Sequence, residues 1–323
     1  MQYVSFFRIT AIVVLMAATG MVSAQTMDTA FRPYEQTIPG TTVVFKMVPV
    51  KGGAFRMGSE KNEKGRKPDE GPARQVNVSS FWLGTHEVTY DEYDAFFKDE
   101  EFSQNESMDA ITRPSPPYID LTLNMGKEGG FPANSMSQYG TIMYCRWLYK
   151  KTGIFFRIPT EAEWEFACRA GSTAAYPFGN DVTQLGNYAW YKDNSDNKYH
   201  KTGLKTPNAW GLYDMIGNVA EWTLDQYDEN YYKNIGSEPK DPLILPTARH
   251  PRTLKGGTYQ DEAGGLRNAS RLMSNPDWNR RDPQIPRSRW WNADAPFIGF
   301  RVLRPLKQPS AEETEQFFSR YLK

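Results

Sequence analysis

Residues 208–222 read NAWGLYDMIGNVAEW, a stretch in which glycine, asparagine, aspartate and aromatic side chains interleave with neither a helical nor a strand period. Gly217 allows an inward turn of the backbone that a β-carbon would oppose. The same character continues from Gly171 almost to the C-terminus, so this half is expected to be loop with short strands. Ordering so much loop costs roughly 1–2 kcal/mol per residue in backbone entropy. Buried aromatics and bound cations are the means available to offset that cost.

Upstream, the pattern becomes regular. TVVFKMVPV (42–50), AFRMGS (54–59) and VNVSSFWLGTHEVT (76–89) read as strands, with Gly52-Gly53 permitting a tight turn or a close backbone approach. Thr89 with Glu92 forms a capping box before Tyr90, Tyr93, Phe96 and Phe97 at helical spacing. A second helix is expected from Ser137 to Thr152, ended by Gly153. A third starts at Pro159-Thr160, with Glu163 completing the box, and stops at Gly171. Residues 99–135, with Pro114, Pro116 and Pro117, read as a long irregular loop, and a last helix is expected from Ala311.

The first 24 residues have the three zones of a secretory signal: Arg8, the apolar run from Ile9 to Val22, and Val22-Ser23-Ala24 before Gln25. The expected organisation is therefore a signal at 1–24, a leader or linker at 25–41, one domain at 42–306 and a helical tail at 307–323. A periplasmic or secreted protein follows, with no stable membrane insertion after signal cleavage. Basic and acidic residues balance at 38 each, which argues against a nucleic-acid partner. The two cysteines, Cys145 and Cys168, are either buried free thiols or bridged to each other. His86, His200 and His250 have no spacing that suggests a metal triad.

Four segments, PTEAEWEFACRAG (159–171), NAWGLYDMIGNVAEW (208–222), LKGGTY (254–259) and IGFRV (298–302), together with GGAFRMGS and THEVTYDEYDAFF, resemble the sulfatase-modifying-factor family, that of the formylglycine-generating enzyme. The resemblance runs from about Val43 to Pro305. It implies an α+β fold related to C-type lectins, loop-rich and low in regular secondary structure, with structural Ca²⁺. It also implies oxidation of a cysteine in a C-x-P-x-R peptide by copper held on two cysteines, soft ligands suited to Cu(I). Here those two positions are Asp261 and Leu266, and no cysteine follows Cys168. Copper is therefore not expected.

The resemblance places one calcium site on Asp214, Gly217, Val219 and Glu221, two carboxylates and two backbone carbonyls. It places a second on Asn187, Tyr188 through its carbonyl, Asn194 and Asp196. Asp261-Glu262 could alternatively do acid–base work, or simply face water. In RDPQIPRSRWWNADAP, Arg287, Arg289, Trp290 and Trp291 are candidates for an aromatic and basic binding groove, one tryptophan packing inward and the other exposed. The reading that follows is an exported, non-catalytic binding or assembly factor with a peptide, protein or glycan partner in the cell envelope. Its alternative is an oxidoreductase of the same family, acting in sulfatase maturation or in another periplasmic oxidation such as siderophore maturation.

Overall fold

Side-chain caps open the helices where the sequence places them. Thr89 Oγ1 accepts from Glu92 N while Glu92 Oε2 accepts from Thr89 N, and α1 runs Tyr90–Phe97. Ser137 caps α2 (Gln138–Thr152), which ends at Gly153 in the left-handed region, φ 69°. The reciprocal pair of Thr160 and Glu163 opens α3 (Glu161–Arg169). Two single turns follow, α4 (Leu185–Tyr188) and α5 (Tyr231–Asn234). A third capping box, Ser310 with Glu313, starts α6 (Ala311–Tyr321), which packs on α2.

This computed structural model describes residues 31–99, 117–236 and 239–323, and the fold occupies the unit Arg32–Lys323. The secretory-signal expectation, Gln25 to Ala30 of the leader and residues 100–116 of the irregular stretch lie outside the described residues. The first five strands are β1 (Tyr34–Thr37), β2 (Val44–Val50), β3 (Gly53–Met57), β4 (Arg74–Val78) and β5 (Phe81–Gly84). The remaining strands are β6 (Ala220–Gln226), β7 (Arg252–Lys255), β8 (Leu272–Met273), β9 (Ile298–Gly299) and β10 (Leu303–Pro305). They form an antiparallel sheet β1-β2-β5-β10, a hairpin β3-β4, and a sheet β8-β7-β6-β9 in which β6 and β9 run parallel.

One expectation needs correcting. The leader was placed at 25–41, but Tyr34–Thr37 pairs with β2 and Ile38 is fully buried, so the domain begins earlier. A four-residue edge strand with a single buried residue, Gln36, leaves no period to detect. Gly52 behaves as expected: a β-carbon there would lie 2.3 Å from the Val78 carbonyl oxygen.

Helix α3 sits between the hairpin and the β6-β7 sheet, and its motif is explained by burial of charge. Glu161 binds Arg271 at 2.6 and 3.0 Å, Glu163 binds Arg157 at 2.6 and 2.7 Å, and Glu165 takes Arg169 and Lys255. All three glutamates are buried. The aliphatic and aromatic residues of this region, among them Trp164, Phe166, Met215 and Leu266, form the main core around those pairs.

Candidate functional site

The loop 214–219 contains three departures from ordinary backbone, with φ at 52° for Asp214, 77° for Gly217 and 53° for Asn218. Gly217 is the one glycine of this loop, and a β-carbon there would lie 2.3 Å from the Trp190 carbonyl oxygen. The turn aims Asp214 inward, where Oδ2 accepts from Gly203 N at 2.6 Å and Oδ1 has no partner. Burial raises the Asp214 carboxyl to about 6. Glu87, fully buried, accepts from Asn218 Nδ2 through one oxygen and has no partner for the other. Burial, then repulsion from Asp214 and Glu221, pushes its carboxyl well above the usual range.

Glu221, expected from the sequence to hold a metal, is committed elsewhere. Arg301 donates Nε to its Oε2 and Nη2 to its Oε1, and Trp164 Nε1 donates to Oε2 at 2.8 Å. The donor oxygens left without partners are thus those of Asp214 and Glu87, the second of which the sequence did not suggest. Hard carboxylate oxygens of this kind suit Ca²⁺ when backbone carbonyls complete the shell. Gly217 and Val219 remain on the same loop to supply them. Among the described residues no group of three or more histidine, cysteine, aspartate or glutamate side chains stands together as a metal centre.

The other expected calcium ligands occupy a loop braced by its own side chains. Asn194 accepts from Tyr191 N and donates to Ala189 O, both at 2.9 Å, which uses its amide within the loop. Asn187 is exposed and donates to Gln184, while Asp196 is exposed in the left-handed region. Tyr188 stacks on Phe178 at 4.5 Å between ring centroids.

Residues 256–266 form a closed structural turn. Asp261 Oδ2 accepts from Thr258 N and Oγ1 at 2.8 and 2.9 Å, and the Asp261 carbonyl accepts from Lys192 N. Glu262 pairs at the surface with Lys192. Leu266 is fully buried in the main core. Cys145 and Cys168 are free and buried on α2 and α3, and burial pushes the Cys168 thiol up to about 12.

The groove expectation is corrected by the tryptophans. Both are buried, Trp290 at 1% and Trp291 at 6% exposure, Trp290 packing against Phe96 and Tyr139 and Trp291 against Tyr93. Strand alternation does not apply, because Ser288–Asn292 is irregular chain laid on α2, with Ser137 N donating to Trp290 O. Arg287 is exposed, and Arg289 lies over the Tyr139 ring at 4.2 Å, lining a pocket of about 320 Å³.

This framework has known relatives. Residues 35–306 match the model of the sulfatase-modifying factor enzyme 1-like domain. The chain belongs to the sulfatase-modifying-factor family. It is 27% identical to the formylglycine-generating enzyme of Thermomonospora curvata over 72% of this chain and 89% of that relative. It is also 27% identical to the inactive C-alpha-formylglycine-generating enzyme 2 of Bos taurus, over 74% and 85%. A further relative is the serine/threonine-protein kinase pkn1 of Chlamydia pneumoniae, 30% identical over 72% of this chain. The chain spans only 36% of that kinase's length. Among solved structures, PvdO from Pseudomonas aeruginosa superposes with a TM-score of 0.66 at 28% identity, over 84% of this chain and 98% of that one.

In this member of the sulfatase-modifying-factor family, Glu221 of the EW at 221–222 and Arg301 of the GFR at 299–301 are the two halves of one buried ion pair. Asp261 and Leu266, the positions at which the resemblance implies copper ligands, are a turn-capping carboxylate and a core leucine. No helix among the described residues is long and apolar enough to cross a membrane.

Proposed function

We propose that this sulfatase-modifying-factor domain is an exported, non-catalytic binding or assembly factor with a peptide, protein or glycan partner in the cell envelope. The observation that carries the reading is the pair Asp261 and Leu266. Asp261 is engaged with Thr258 and Leu266 is buried without a donor atom, so neither supplies the thiolate that Cu(I) prefers. The remaining thiols lie in helices of the core and titrate above physiological pH. The bovine relative, named an inactive C-alpha-formylglycine-generating enzyme 2, is in keeping with a family that retains the scaffold without the reaction. The alternative, an oxidoreductase like the relatives named formylglycine-generating enzyme, requires a copper site built without cysteine.

A competition titration of Cu(I) against a chromogenic chelator tests this directly. The expected result is no tight stoichiometric binding beyond that of an Asp261→Ala variant. Stoichiometric binding abolished by that variant would contradict the proposal.

We also propose structural Ca²⁺ in the 214–219 loop, held through Asp214 and Glu87 while Glu221 stays with Arg301. The two unpartnered, buried carboxylate oxygens support it.

A further inference from the structure

The pocket beside Arg289 is assembled from five separate segments: the start of α2, Trp222 of β6, residues 246–252, Arg289 with Asn292, and the end of α6 with Lys323. Arg249, Arg252, Arg289, Arg320 and Lys323 line it, and no aspartate or glutamate side chain does. Five cationic side chains surround about 320 Å³ with no acidic side chain in the lining, so their mutual repulsion favours an anion between them.

The lining also holds unused donors. Arg252 is 8% exposed, and its Nε and Nη1 have no acceptor. Asn292 is 2% exposed with Nδ2 unpartnered, and Tyr321, 7% exposed, has an unpartnered hydroxyl. A buried donor left without an acceptor is costly, so a ligand that accepts from these groups is favoured. Asp225, whose charge acts on Arg252, has its two oxygens taken by the N–H groups of Glu161 and Ile244. Arg289 spends one nitrogen on the main-chain oxygens of Leu322 and Lys323. The N-terminal end of the 15-residue α2, at Ser137 and Gln138, adds its positive dipole end.

We infer that this pocket binds a tetrahedral oxyanion, presented as the sulfate or phosphate monoester group of a small molecule. A carboxylate has two oxygens and one charge, fewer than the converging donors and cations can serve. A sulfate or phosphate ester offers three terminal oxygens. Burial lowers the affinity of Arg252 and Arg249 for their protons, and burial together with the flanking arginines brings His250 down to about 4. The position lies apart from Asp261 and Leu266, neither of which lines the pocket, so the site goes beyond the binding role proposed above and does not depend on copper chemistry.

Isothermal titration of the full chain with glucose 6-phosphate, glucose 6-sulfate, inorganic phosphate, inorganic sulfate and acetate, at constant ionic strength in chloride, tests the inference. Saturable one-to-one binding of at least one tetrahedral anion is expected, at least tenfold tighter than acetate. The ester arms distinguish a sulfated from a phosphorylated ligand, and the inorganic arms show whether the free ion suffices. Arg252→Gln should weaken binding at least tenfold. Because Arg252 is buried, the exposed pair Arg249→Gln and Arg320→Gln provides a second variant that leaves the core untouched, with a loss of severalfold expected. Acetate binding as tightly as every tetrahedral anion, no saturable binding, or unchanged affinity in the Arg249 and Arg320 double variant would each overturn it. None of these outcomes bears on peptide oxidation, which has its own test.

Discussion

Arg301 clasps Glu221 through two parallel hydrogen bonds, Nε to Oε2 at 2.7 Å and Nη2 to Oε1 at 2.6 Å, with both side chains buried. The same guanidinium also donates to the carbonyls of Gly84 and Tyr213, so one residue ties β9 and the chain after it to β5, β6 and the 214–219 loop. Removing one member of such a pair leaves a buried charge uncompensated, at a cost of about 3–5 kcal/mol. Glu221→Gln and Arg301→Met should each lower the free energy of unfolding by that amount in urea titration. A loss below about 1 kcal/mol would show the pair to be dispensable.

Calcium should act through Asp214 and Glu87. Thermal unfolding should shift upward on adding Ca²⁺ and return with EDTA, and Asp214→Asn or Glu87→Gln should abolish the shift. Asn194→Ala should leave it intact, because the Asn194 amide is engaged within its own loop. A shift abolished by Asn194→Ala but not by Asp214→Asn would place the ion in the wrong loop.

Gly217→Ala forces a β-carbon to 2.3 Å from Trp190 O at a φ of 77°. Contact and strain both oppose it, and a loss of about 2 kcal/mol or more in stability is expected. Gly153→Ala is the control, since its φ of 69° carries the conformational strain with no atom near the added carbon. Equal losses in the two would mean that the contact with Trp190 relaxes freely.

His250 gives the fold an acid-labile element. Ser274 Oγ accepts from Arg252 N and lies 2.7 Å from His250 Nδ1. Burial first, then Arg249 and Arg252, depress the histidine from 6.5 to about 4. Between those values the unfolded chain binds the extra proton, so this contribution is complete above pH 6.5 and is lost as pH falls toward 4. The decline in stability across that window should be shallower in His250→Gln. Identical pH profiles would remove His250 from the account.

Local signals carried most of the helical framework. Thr89 and Thr160 are caps readable from the glutamate three positions on, Ser137 and Gly153 bound α2, and Gly52 marks a close approach that the structure contains. What was not legible depends on distant partners. Glu87 and Arg301 meet only through folding, and the basic pocket joins residues near 138, 250, 290 and 321. Arg249 and Arg252 flank His250 closely enough to suggest a local positive charge, but nothing local announces Arg320 beside them. The tryptophan pair shows the reverse limit: alternation assumes a strand, and Trp290 and Trp291 sit on irregular chain that buries both.

The central claim, that the domain keeps the family scaffold without its copper oxidation, is tested most directly by mass spectrometry of a C-x-P-x-R peptide. The peptide is incubated with the purified chain, Cu(I), a thiol reductant and oxygen, beside the Thermomonospora curvata enzyme as a control. The expected result is an unchanged cysteine with this chain and conversion to the aldehyde by the control. Conversion by this chain, lost on Asp261→Ala, would contradict the account and place a working oxidation centre at a turn that holds no thiol.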